Sequence, residues 1–407
     1  MNGEPVAPAR PVTPPHNLRA LALRNFLYGL RLNMVRAIWQ PFVLSLGASM
    51  PLVGLLESIG GFGGIVSTAM LPIGGWLSDR LGRKPFVLIS SAVGFAALAT
   101  FALAGWQREW RLLLPGVVLL GITAVARPAV DSMTAESVTA AVRGHAFGVV
   151  AMTFALSGTL APTLGGFLAS RSGFLVVLIL GAFLEAATFG LAALTLRETL
   201  PPGGRPSVVA SELVRLLKRA LSPPARLRTF YVAVTVDVFA FGAGSAILPG
   251  MLTSTYHFTP FQLGVMISVS SATWALSQLF FARQVDKRGC VPILMLSEGL
   301  GVVLTTGWLL ARSFPAFLAL EAVGGLLPAT WAPAFMAWIN NSVPEGQRAE
   351  ELGRLGAFRG LIGFPAPYVG GLLYSRFGFR GPVLVNLVGV ATVVVLLWLF
   401  VDEPRQA

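Results

Sequence analysis

Arg36, Arg127, Asp131 and Asp237 are ionisable residues embedded in long apolar runs. An ion held away from water is costly unless it is paired or used, so each is a candidate for gripping a charged group or carrying a proton. Arg127 and Asp131 are four residues apart and share one face of a helix. Arg36 lies too deep for its stem to reach the interface, at a helical rise of about 1.5 Å per residue. It needs an anionic partner: Asp131, Glu57 or a ligand. Asp237 precedes Val238-Phe239-Ala240-Phe241, and a carboxylate that gains and loses a proton in such surroundings ties protonation to conformation. Bond-breaking chemistry is not expected. No nucleophile–base pair or Walker lysine motif stands out, and His16, His145 and His257 are dispersed without ligand spacing. The single cysteine, Cys290, excludes an internal disulfide and a cysteine metal cluster. Neither metal nor cofactor is called for.

Two further stretches carry pattern. Gly75-Trp-Leu-Ser-Asp79-Arg80-Leu-Gly82-Arg83-Lys84 is a compact charged turn between the apolar runs Leu52–Leu77 and Pro85–Gly105. In it Gly75 admits a close helix neighbour and Gly82 a tight turn. The second stretch, Gly158-Thr-Leu-Ala161-Pro162-Thr-Leu-Gly165-Gly166, is a flat small-residue face with a proline bend, suited to a helix contact that moves.

The elements that hold these residues are set by composition. Of 407 residues 55% are hydrophobic and 12% charged, with mean hydropathy +0.73, against about 25% charged in soluble domains. The chain is therefore expected to be an all-α multi-pass membrane protein. A net charge of +12 does not imply nucleic acid; the cations sit in short loops, where they set topology and meet anionic lipid. At roughly 20 residues per crossing twelve spans are expected, about Asn25–Ala48, Leu52–Leu77, Pro85–Gly105, Leu112–Met133, His145–Ser170, Gly173–Leu196, Phe230–Ser254, Phe261–Arg283, Val291–Ala311, Pro315–Ile339, Leu352–Ser375 and Pro382–Val401. Residues 1–24 read as a disordered cytoplasmic tail, 25–196 and 229–402 as two six-helix bundles, 197–228 as a cytoplasmic connector with a basic amphipathic stretch at Val208–Leu221, and 403–407 as a tail. With the N-terminus inside, about 20 of the 30 Lys and Arg fall on the cytoplasmic side and about six outside. Both termini are then cytoplasmic, in a prokaryotic inner or plasma membrane.

The halves are related. Gly363-Phe-Pro-Ala366-Pro367-Tyr-Val-Gly370-Gly371 follows the Gly158 segment by 205 residues, and the same offset carries Pro128 to Pro333, Arg143 to Arg348 and Arg171 to Arg376. Asp286-Lys287-Arg288-Gly289 echoes the charged turn. Arg127 and Asp131 fall on Ala332 and Met336 in the second half, so packing symmetry does not require their charge. A chain of two related six-helix halves is expected to bind at the midplane between them.

The Gly75–Lys84 decapeptide resembles the signature loop between helices 2 and 3 of the major facilitator superfamily of secondary transporters. The Gly158–Gly166 segment resembles the helix-5 motif of its antiporter branch, with Ala161 where glycine is usual. Arg127 resembles the family's helix-4 arginine, without the glycines that usually follow. The resemblance implies rocking halves with alternating access, and a cavity lined by helices 1, 4, 7 and 10. It also implies that Asp79 meets the start of helix 11, near Leu352–Arg359, and holds the inner gate shut. Many drug exporters of the family carry an acid in helix 1, whereas this chain has Arg31 and Arg36, which favours an anionic or zwitterionic substrate. Arg31 reads as a snorkelling side chain, Glu57 and Glu321 as lying near the outer face, and Glu185 and Glu298 as structural. Gly60-Gly61-Phe62-Gly63-Gly64 reads as helix packing within helix 2. The expected function is proton-coupled export of a small organic molecule by a monomer. The alternatives are proton-coupled import or exchange of an organic anion, and a sensor that binds without transporting.

Overall fold

The computed structural model describes residues 16–61, 64–200, 224 and 227–404, and among them the chain is helical with no strand. Twelve helical passes follow one another: α1 (His16–Ser45), α2 (Met50–Leu81), α3 (Lys84–Gln107), α4 (Trp110–Glu136), α5 (Ala140–Ser172) and α6 (Phe174–Thr195), then α7 (Arg228–Tyr256), α8 (Pro260–Arg288), α9 (Cys290–Leu310), α10 (Phe314–Ser342), α11 (348–377, from Arg348–Gly363 and Ala366–Phe377) and α12 (Arg380–Phe400). Ten are apolar enough to cross a membrane by composition alone. The other two, α1 and α11, are diluted by Arg24, Arg31 and Arg36 and by Arg348, Glu351, Arg354 and Arg359.

Two boundaries differ from expectation. The first helix begins at His16, inside the expected 1–24 tail, because Ala20 and Leu21 bury against Val87 and the rest of a small core at that end. The first segment of the second helix ends at Gly60 and the next starts at Ile65, with Gly61 and Gly64 both extended rather than helical. Packing still explains Gly60, where a Cβ would strike the Val117 carbonyl of α4. The Val208–Leu221 stretch lies outside the described residues.

Helices α1–α6 form one bundle and α7–α12 the other; they meet where α5 packs on α8 and α2 on α11. Both seams are built alike. Pro162 lies inside α5, where it removes one N–H and disturbs the turn before it, and Pro367 lies in the first turn of the second segment of α11, whose leading N–H groups have no helical partner; in each case the opposite half supplies one. The Thr163 N–H, after Pro162, donates to Ser268 Oγ at 3.2 Å, and the Tyr368 N–H, after Pro367, donates to Ser58 Oγ at 3.3 Å. Glycine brings the backbones together. A Cβ on Gly166 or Gly264 would strike the Pro260 or Pro162 carbonyl, and one on Gly54 or Gly371 the Pro367 or Met50 carbonyl. Elsewhere the 205-residue repeat reappears as matched hydrogen bonds: Arg143 Nε donates to the Ala135 carbonyl at 3.2 Å, and Arg348 Nε to the Asn340 carbonyl at 3.0 Å.

These seams lie toward the end of the molecule that holds the 46–49 and 257–259 turns, here termed the far end. At the opposite end, which carries the charged turn, a Cβ on Gly144 or Gly148 of α5 or on Gly353 or Gly356 of α11 would meet nothing within 4 Å. The halves are therefore closed at the far end and apart at the charged-turn end.

Candidate functional site

The charged turn joins four helices of the first half. Gly82, at φ 104°, lets α2 turn into α3 where an L side chain would be strained. The Arg83 side chain is buried; it reaches Asp79 Oδ1 at 3.3 Å and also pairs with Glu136 at the end of α4. Lys84 Nζ donates to the Ala193 carbonyl of α6 at 2.8 Å, while Arg80 lies over the Trp76 ring. Glu198, just past α6, accepts the N–H groups of Arg83 and Lys84 at 3.0 Å each and so caps α3. Glu403 does the same for α9, accepting from Cys290 and Val291 at 2.6 and 2.8 Å. The two caps are 205 residues apart, so the repeat offset already contained them. The Asp79 side chain is 57% exposed and engages Arg83 rather than the start of α11. That matches the separation of the halves at this end.

The two arginines of α1 part company. Arg31 does not snorkel. Its Nε donates to Glu185 Oε2 of α6 at 2.6 Å, with both side chains 1% exposed. Tyr28 lies between Arg31 and the buried Arg24, with each guanidinium 4.8 Å from the ring centroid. This cluster sits inside the first bundle, with Arg31 and Glu185 both buried.

Arg36 instead faces open space: it is exposed although it lies within the span. The carboxylates acting on it are Glu57 of α2 and Glu321 of α10, one from each half, and not Asp131. Among the described residues Arg36 makes no ion pair within 4.0 Å. Arg127 and Asp131 are both exposed on one face of α4, and Arg127 is the cation acting on Asp131. In the second half Asp237 of α7 faces Arg359 of α11 and Glu298 of α9. The Arg359 guanidinium lies 4.4 Å from the Trp331 ring centroid, and Trp331 stacks on Phe335 at 4.3 Å. Such a cation–π shelf holds the guanidinium over a face of α10. Glu298 thus lies within electrostatic range of this group. Phe239, one of the apolar neighbours of Asp237 in sequence, lies in an apolar groove between α7 and α12.

The helix-5 residues fall at the seams. Gly158 lies beside Ser271 of α8, Ala161 and Pro162 are buried, Gly165 backs onto the Met34 carbonyl of α1, and Gly166 onto Pro260 of α8. Sequence reasoning did not find the Arg36–Glu321 and Asp237–Arg359–Glu298 groupings. They join helices distant in the chain, and no local spacing announces them.

A helical chain of two related bundles around a charged cleft is the architecture of a secondary transporter. The family model for the Major Facilitator Superfamily matches residues 21–249 and 229–407, and the chain belongs to that family. It is similar to a putative sugar efflux transporter of Deinococcus radiodurans, 25% identical over 81% of this chain and 84% of that protein. It is also similar to the class G tetracycline resistance protein of Vibrio anguillarum, 26% identical over 82% of this chain and 87% of that one. The crystal structure of the human organic anion transporter MFSD10 (TETRAN) shares the fold, with TM-score 0.67 and 20% identity over 94% of this chain and all of that one. The protein is an integral membrane transporter and not an enzyme.

Proposed function

We propose that this transporter exports a neutral or cationic small organic molecule in exchange for protons, as a monomer with both termini in the cytoplasm. The observation that carries the reading is the charge balance of the interior. Arg36, Arg127 and Arg359 face five carboxylates: Glu57, Glu321, Asp131, Asp237 and Glu298. A carboxylate without a cation in a low-dielectric interior takes up a proton or holds a cationic ligand. The surplus therefore suits protons and substrate taking turns at the same groups. The arginines of α1 argue less for an anion than their number suggests, since Arg31 is neutralised by Glu185. The outward direction is supported by the helix-5 motif and by relatives named for sugar efflux and tetracycline resistance.

With the positive loops inside, the open end loads from the cytoplasm. Substrate enters between the halves, protons leave the carboxylates, and the charged-turn end closes. In that closed state Asp79 meets the start of α11, where the helix dipole favours a carboxylate. A second reading, exchange of an organic anion, rests on the exposure of Arg36 and Arg127.

The experiment uses purified protein in liposomes with an imposed pH gradient and an internal pH dye, challenged with lipophilic cations and then with organic anions. Proton movement opposite to a lipophilic cation is the expected result. Proton movement alongside an anion would overturn the proposal in favour of the second reading.

A further inference from the structure

Gln40 lies one helical turn beyond Arg36 on α1 and is 4% exposed. Its Nε2 donates to the Ala246 carbonyl at 2.6 Å and to Glu57 Oε1 at 2.8 Å, and its Oε1 accepts the Gly250 N–H at 2.7 Å. Ala246 lies in the interruption of α7 between Gly244 and Leu248, and Gly250 lies in the first turn after it. A break of this kind leaves backbone donors and acceptors without a helical partner. Here one side chain from the opposite half supplies one of each. The amide orientation is fixed from three directions: an N–H requires the oxygen, and a carbonyl and a carboxylate require the nitrogen. Met50 closes the remaining side of Gly250. The site is buried, and opening the far end must break two hydrogen bonds between the halves and let water replace them.

We propose that Gln40 is the latch of the far-end gate, with Glu57 holding its amide in register. It is a positioning residue: it sets the balance between the two access states without needing to touch the substrate. Glu57 also faces Arg36, so the latch stands next to the cavity charge that a ligand or proton would alter. The inference rests on the transporter fold and not on the substrate or direction proposed above, and its test uses no substrate.

The test is pulsed electron–electron distance measurement on full-length protein in liposomes, with spin labels at Ser49 and Ser254, both exposed at the far end in opposite halves, in a Cys290→Ser background. Two net hydrogen bonds correspond to a rise of about tenfold to a hundredfold in the open-to-closed ratio. Gln40→Met, which keeps the bulk and loses the bonds, is expected to give that rise as a longer-distance population. Glu57→Leu is expected to shift the ratio the same way by a smaller factor. A second label pair, Ser49 and Ser172 within the first half, keeps its distance in each variant. If Gln40→Met stays within about twofold of the parent ratio, packing alone holds the gate and the latch is refuted. An unchanged ratio in Glu57→Leu would remove Glu57 from it.

Discussion

Replacing Glu185 by glutamine is the sharpest test of how the first bundle is held together. Glu185 is the only carboxylate, among the described residues, that pairs with the buried Arg31, and the nearby Arg24 is drawn to it as well. Glutamine keeps the shape and one hydrogen bond to Arg31 but leaves two buried guanidinium groups on either side of Tyr28 without a counter-charge. Breaking one side of a buried pair costs about 3–5 kcal/mol, and the retained hydrogen bond puts Glu185→Gln near the lower end. For a six-helix half of this size, about 3 kcal/mol corresponds to a fall of about 6–12 °C in apparent melting temperature. The assay is thermal unfolding of detergent-purified protein followed by size exclusion. The double variant Arg31→Met/Glu185→Leu removes both charges and is expected to recover most of the loss. A single variant within about 2 °C of the parent, or a double variant no better than the single, would refute the reasoning.

Other expectations concern the charged-turn end. Asp79→Asn should leave the protein folded, since that side chain is largely in solvent, yet abolish transport; undiminished turnover would remove Asp79 from the gate. Arg83→Ala should instead lower stability, by about 2–3 kcal/mol, because it unties α2 from α4 and strands Glu136; the melting midpoint distinguishes the two. Burial pushes the Glu198 carboxyl up, but the N–H groups of Leu200, Arg83, Lys84 and Thr199 outweigh it and hold it below its ordinary 4.5. A lowered folded-state value means that its stabilisation is present above pH 4.5 and is lost as pH falls through that lower value. Glu198→Gln should therefore cost about 0.5–1 kcal/mol at neutral pH, as a lost helix cap does, with the difference from the parent closing under acid. A difference that persisted at low pH would contradict the assignment.

The fold was largely legible because a membrane makes length and apolarity decisive, and because duplication repeats its marks. Pro162 and Pro367, with their glycine neighbours, announced two matched seams, and Arg143 and Arg348 announced matched hydrogen bonds. The same offset links Glu198 to Glu403, a signal present in the sequence and not used. What spacing could not provide was pairing across the chain. Arg31 and Arg36 look alike on α1, and only packing sends one to Glu185 and the other into the cleft opposite Glu57 and Glu321. Counting cations on one helix, which favoured an anionic or zwitterionic substrate, leaves out the acids that other helices bring to them. Glu298, expected to be structural, lies within electrostatic range of Asp237, a pairing that no local spacing announces. The end of the first helix 2 segment at Gly60, with Gly61 and Gly64 extended, was hidden because glycine serves packing and interruption equally well.

The central claim is that acids in surplus within the span carry the coupling protons, and Asp237→Asn in proteoliposomes tests it most directly. With a compound that moves protons in the parent protein, pH-driven accumulation and counterflow exchange at equal pH are measured side by side. The account predicts that the variant loses accumulation and keeps counterflow, because substrate still binds and the halves still rock while one proton carrier is gone. Full pH-driven accumulation in Asp237→Asn would contradict it.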